Sequence, residues 1–288
     1  MNKNLTLLIV FLLGSTTLLT AQEFSYGFRT GLNFNRFLAD SELDANGAEL
    51  EEFTGAGGFH LAASFYIKFT DLVGLRPELV YSQRGGRVKY EGPSYLVYFD
   101  EGERRIINGG MRTQNVNVTN SYIDLPVVFY YRPVQTLEIF GGAYVGATIN
   151  STGSGRLVYT APGNEAVEAP LDLNFFRDQP EDTFTEGGTP VQVNGNGFLI
   201  PRTFSAYYDR RERDGTFYNT LDYGLIGGLS IYMNEALFLS GRLQYGMADV
   251  TRGRYDVSLQ SLDGNNEFIE TDDIDRYLTI QVSVGFGF

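Results

Sequence analysis

The chain closes on Arg276-Tyr277-Leu278-Thr279-Ile280-Gln281-Val282-Ser283-Val284-Gly285-Phe286-Gly287-Phe288. From Leu278 onward every second residue is large and apolar. The residues between them, Thr279, Gln281, Ser283, Gly285 and Gly287, are small or polar. Side chains alternate across a strand, so the stretch has one greasy face and one narrow, wet face. A soluble sandwich uses such strands too. What decides the fold is whether the pattern recurs and how the connections between its copies are sized.

It recurs at about 24–37, 57–69, 72–84, 118–131, 136–150, 220–232 and 236–247. In the first copy Phe24, Tyr26, Phe28, Leu32 and Phe34 alternate with Ser25, Gly27, Arg29, Gly31 and Asn33. The connections alternate in length. Those at 70–71, 132–135 and 233–235 are tight, and those at about 38–56, 85–117, 151–219 and 249–275 are long. A soluble sandwich has no reason to sort its loops by side, whereas an outer-membrane barrel has short periplasmic turns and long extracellular loops. The expected fold is all-β: an eight-stranded antiparallel up-and-down transmembrane β-barrel, with the closing strand pairing against the first. Both termini are expected in the periplasm.

Composition narrows the function. The net charge is −13, the wrong sign for a nucleic-acid partner. Cysteine is absent and His60 is the sole histidine, so disulfides, thiolate chemistry and multi-histidine metal sites are not expected. Residues 1–21 read as a signal peptide: Lys3, an apolar run from Leu5 to Leu13, and small Ala21 at the cut. The rest, 22–288, reads as one barrel domain.

The polar face carries the candidate site: Arg29, His60, Arg76, Glu78, Asp124, Glu138, Asp222 and Arg242. Charges facing lipid would each cost about 2–4 kcal/mol near the midplane, and their phase turns them inward instead. Two readings follow, a conduction or catalytic path and a structural charge network. An eight-stranded lumen is narrow and normally filled by side chains, which favours the network. No Gly-x-Ser-x-Gly elbow, P-loop or dinucleotide motif is present, so neither an enzyme nor a cofactor is expected. On the outer face Tyr26, Tyr81, Phe129, Tyr131, Tyr223, Tyr245, Phe286 and Phe288 suit an interfacial girdle. The acidic stretches Asp40–Glu52 and Asp256–Asp275 read as solvated loop, with divalent-cation bridging to lipopolysaccharide as the alternative. The run Arg210-Arg211-Glu212-Arg213 also reads as loop surface, with an anionic lipid or partner contact as its alternative.

Several segments together resemble one family. Gly27-Phe28-Arg29-Thr30-Gly31-Leu32-Asn33 is similar to the G-x-x-x-G-x-N opening strand of the PorT-like outer-membrane β-barrels common in Bacteroidota. Leu75 to Gly85 resembles their L-x-x-E-L-x-Y-x-x-x-G strand, and Tyr122-Ile123-Asp124-Leu125-Pro126 resembles their Y-[IL]-[DE]-[IL]-P strand. Gly141 to Gly146 matches their Gly-rich strand. The third loop is longer than the family's pattern. The resemblance implies an outer-membrane protein, with Phe286 and Phe288 as the signal read by the barrel-assembly machinery. It also implies lipid, lipopolysaccharide and other envelope proteins as the candidate partners, and some members belong to the type IX secretion apparatus. The expected role is non-enzymatic and monomeric: a plugged barrel acting in structure, adhesion or assembly through its loops. A secretion-associated barrel and a narrow ion or solute channel are the alternatives.

Overall fold

The computed structural model describes residues 23–161, 163–164, 166–271 and 273–288; the expected signal peptide lies outside them. The strands in chain order are β1 (Glu23–Leu38), β2 (Glu51–Lys68), β3 (Val73–Asp100), β4 (Glu103–Val134), β5 (Leu137–Thr160), β6 (Ala166–Asn174), β7 (Gly188–Val193), β8 (Asn196–Pro201), β9 (Leu221–Tyr232), β10 (Leu237–Gly246), β11 (Val257–Leu262), β12 (Phe268–Glu270) and β13 (Arg276–Gly287). Among the described residues no helix is long and apolar enough to cross a membrane.

One nine-stranded sheet runs β4-β3-β2-β1-β13-β10-β9-β5-β6, and β4 also pairs with β5. That extra pairing closes a ring. β9 pairs with β5 as far as Ala147, and β6 takes the same edge of β5 from Thr152 onward. Setting β6 aside leaves eight staves, all antiparallel. β13 pairs with β1 from Gly27↔Gly287 to Leu38↔Arg276, as its alternation requires of a closing strand. The turns after β2, β4 and β9 lie at the end of the barrel where β1 begins and β13 finishes.

Outward side chains form an unbroken apolar belt. Phe24 is 68% exposed and Val282 54%, with Phe65, Leu125, Ile139, Leu225 and Leu243 comparably bare. So large an apolar surface is unsuited to water and suits hydrocarbon. At the end holding the tight turns, Tyr26 stacks on Phe288 and Phe28 on Phe286, each with ring centroids 5.5 Å apart.

The walls do not stop where the belt does. β3 has 28 residues, about 90 Å of strand at the usual rise, whereas about 9–11 residues cross a bilayer. The segment expected as a loop at 85–117 is therefore the continuation of β3 and β4 as a paired hairpin, turning at Glu101-Gly102. The expected loop at 151–219 likewise begins as more of β5, followed by β6. Gly85-Gly86 and the asparagines of β4 interrupt the apolar alternation and hide these strands in the sequence. Register shifts between Gly55 and His60 and at Ser121/Tyr122 fall on about the same rung, through the partners Ser82 and Tyr122. Bulges bend and twist a sheet, and here they mark where the barrel wall becomes the raised sheet. Residues 94–98 of β3 are buried on both faces. Tyr95 meets Phe268 and the Ser258 carbonyl on one side, and Tyr98 meets Phe184 on the other. The chain after β6 and the chain after β10 thus cover the raised sheet as a cap with its own core, built on Leu96, Leu157, Tyr159, Phe204 and Tyr218.

Within the barrel, rings lie against glycine backbone on neighbouring strands. A Cβ at Gly228 would meet Phe140 Cζ at 2.7 Å as well as the Gly241 carbonyl oxygen. A Cβ at Gly241 would meet nothing within 4 Å. Overpacking a filled interior costs about 1–3 kcal/mol. Gly228→Val is therefore expected to lower the temperature at which the folded, fast-migrating band disappears on heating in a detergent gel, and Gly241→Val is expected to leave it unchanged.

Candidate functional site

The inward residues of different strands meet directly across the lumen. Glu78 on β3 sits at the centre. Arg29 of β1 donates to it at 3.0 Å, Arg76 through Nε at 2.9 Å, and Arg242 of β10 through both terminal nitrogens at 2.9 and 2.8 Å. Arg76 also pairs with Glu138 of β5, and Arg132 reaches Glu138 at 2.8 Å from the turn side. The guanidinium of Arg76 lies 4.7 Å from the centre of the Phe140 ring and that of Arg242 lies 5.0 Å from it.

A second group lies nearer the cap. Arg84 pairs with both Asp124 and Asp222, and Tyr144 donates to Asp222 at 2.8 Å. Arg84 lies between the Tyr122 and Tyr144 rings, at 4.5 and 5.0 Å. Sequence reasoning ended the third strand at this arginine and omitted it. Its phase contained the signal, because Arg84 follows Arg76, Glu78 and Ser82 on the same face. Arg132, read as a turn residue, was missed too, since only the folded turn swings it back to Glu138.

His60 stands apart from the ion pairs. Its Nδ1 is 2.7 Å from Asn33 Oδ1 and its Nε2 is 2.8 Å from Ser283 Oγ. The Ser–His–Asn order has the connectivity of a hydrolytic triad. His60 and Asn33 are both fully buried, however, and Arg29 also donates to Ser283 Oγ at 3.2 Å. Above these groups Phe37 packs on Tyr277 at 4.9 Å, and Tyr277 meets Tyr122 edge-on at 6.2 Å, an aromatic layer across the barrel mouth.

Over that layer, under the cap, is a cavity of about 490 Å³. Its lining joins the two acidic stretches, with Asp40, Glu42 and Glu51 from one and Asp256, Asp273 and Asp275 from the other. They differ from the solvated loops expected of them, because Glu51, Asp256 and Asp275 are half-buried. Burial, with Glu42, Asp275 and Asp273 nearby, raises Glu51 to about 7. Burial and the neighbouring Asp273 and Asp275 raise Asp256 to about 8. Burial, with Asp273, Asp249 and Asp40 nearby, raises Asp275 to about 6. Among the described residues no three acidic or histidine side chains converge as a metal site. Arg210 and Arg213, read as free loop surface, lie over Phe268 at 4.2 Å and Tyr207 at 5.1 Å.

Against known proteins, the model of one family, described as the outer membrane protein beta-barrel domain, matches residues 20–252. The chain belongs to the outer membrane protein β-barrel domain family. As in other barrels of this kind, its strands cross the outer membrane. No curated protein matches the sequence. Solved structures that align with this family member include Ail, the attachment invasion locus protein of Yersinia pestis, at 11% identity and a TM-score of 0.36 over 92% of this chain and 99% of that one. Neisserial surface protein A aligns at 12% and 0.37 over 92% and 99%. OprG of Pseudomonas aeruginosa aligns at 10% and 0.35 over 92% and 95%.

Two outcomes follow for the barrel and its cap. Glu78→Gln leaves three buried guanidiniums without their shared charge, and breaking such a group costs about 3–5 kcal/mol. Urea unfolding of the detergent-folded protein is expected to show that loss. In the cap, carboxyls held above their unfolded values make the folded state bind more protons than the unfolded one. Stability is then highest below about 4 and falls as pH rises through the window up to about 8. Hydrogen exchange of segment 247–275, corrected for intrinsic rates, is expected to speed up across that window, and Asp256→Asn is expected to flatten the change.

Proposed function

We propose that this chain is a non-enzymatic, monomeric outer-membrane barrel with a plugged lumen. It acts through its cap in structure, adhesion or assembly of the envelope. The observation that carries the reading is the lumen itself: Arg29, Arg76 and Arg242 converge on one buried carboxylate, Glu78, with the Tyr66 and Phe140 rings against the guanidiniums. A cross-section filled in this way leaves the chain outside the membrane as the part that meets other molecules. The buried setting of His60 supports a structural role for it rather than a hydrolytic one. The eight sequence-derived lumen residues, with Arg84 added, are assigned to bracing.

The tight turns share one rim with the start of β1 and the finish of β13, which supports placing that rim in the periplasm and the cap outside. Lipid, lipopolysaccharide and envelope proteins are the partners proposed, with the barrel-assembly machinery during biogenesis. The strand motifs support a PorT-like affiliation within Bacteroidota, and with it a secretion-associated role for the same cap surface.

In planar bilayers the purified protein is expected to give no steady conductance, and Arg76→Ala is expected to lower stability more than it raises current. A steady wild-type current would overturn the plug. Protease added to intact cells is expected to cut within the cap and to spare the turns after β2, β4 and β9; the reverse pattern would overturn the orientation.

A further inference from the structure

The cavity under the cap has an unusual division of chemistry. Its floor is apolar and largely aromatic, made by Phe37, Phe53, Val116, Phe175, Phe217 and Tyr218. Its rim is acidic, with Asp40, Glu42, Glu51, Asp256, Asp273 and Asp275, and no lysine, arginine or histidine is among its lining residues. Nearby arginines are engaged elsewhere. Arg210 lies over Phe268 and the outer side of the wall residue Tyr255, Arg213 over the wall residue Tyr207, Arg112 donates to the Tyr95 carbonyl at 2.7 Å, and Arg254 pairs with Asp214. The fold therefore gathers half-buried carboxylates around a hollow, and none of the described residues that line it is cationic.

The geometry points to a binding site for a small organic cation with an aromatic or aliphatic body, its ammonium among the rim carboxylates and its body on the ring floor. About 490 Å³ is within the range of small-molecule sites, which are mostly apolar with a few placed polar groups. A bare metal ion fits less well, because among the described residues no three carboxylates gather closely enough to hold one. An anion would be repelled. A neutral ligand would cover the floor and leave the rim carboxyls without an ionic partner. An ammonium beside these rings also gains from their negative faces. This goes beyond the role proposed for the cap and does not depend on whether the lumen conducts.

The chain contains no tryptophan, so indole fluorescence reports a probe and not the protein. Tryptamine would be titrated into the full-length protein folded in detergent. Tryptophol, the uncharged analogue, and indole-3-acetate, the anion, would be titrated in parallel to account for partition into micelles. Tryptamine is expected to give a saturable blue shift, with the other two at least tenfold weaker. The double variant Asp256→Asn with Asp273→Asn is expected to weaken tryptamine at least tenfold while leaving tryptophol unchanged. Val257→Phe, at the cavity wall, is expected to block tryptamine, with the heat-dependent gel migration of both variants confirming a folded barrel. Equal binding of tryptamine and tryptophol would overturn the proposal. So would the absence of saturable tryptamine binding, or full tryptamine affinity in the folded double variant.

Discussion

A strand in hydrocarbon has no water to satisfy its N–H and C=O groups, so each must meet another strand, and the sheet must have no edge. The pairing of β1 with β13 and of β4 with β5 meets that demand. Everything else in the barrel follows from it. A closed ring of alternating strands has to turn one face to lipid and the other to a lumen. Charged side chains then have only the lumen in which to lie.

A small lumen makes its polar groups each other's solvent. Glu78 takes hydrogen bonds from arginines on β1, β3 and β10, so one carboxylate joins staves that are far apart in the chain. Taking such ions out of water is expensive, and their mutual attraction only offsets that cost when the geometry is good. The brace is therefore better understood as intolerance of single changes than as a large net gain in stability. The rings of Phe140 and Tyr144 lie over Gly228 and Gly224 of the neighbouring β9, and Tyr122 and Tyr144 flank the Arg84 guanidinium.

Above the lipid the constraint changes. Water can satisfy a free strand edge there, yet β3, β4 and β5 go on pairing, and the chain after β6 and after β10 folds over them. The result is a second core resting on the aromatic layer of Phe37, Tyr122 and Tyr277 that tops the barrel. Carboxylates from both acidic stretches are drawn partly out of water by this closure. Their shared environment, and not the charge of either stretch alone, holds the carboxyls of Glu51, Asp256 and Asp275 above the ordinary range.

Local pattern was enough for the barrel. Alternation in Leu278–Phe288 and its seven copies, together with the sorting of connection lengths, determined the strand count, the antiparallel closure and which face of each stave meets lipid. Inward phase likewise placed Arg29, His60, Arg76, Glu78, Asp124, Glu138, Asp222 and Arg242 on one face, because a period of two residues is a property of the chain alone. Only the tertiary structure decided the rest. It decided that Arg84 joins Asp124 to Asp222, that Arg132 turns back to Glu138, and that Asn33 and Ser283 are the partners of His60. It also decided that 85–117 is strand and that two distant acidic stretches share one cavity. Those facts depend on which staves stand opposite each other and on where the wall bends at the Gly55–His60 and Ser121/Tyr122 bulges. Such contacts lie between residues far apart in the chain, and no local periodicity records them.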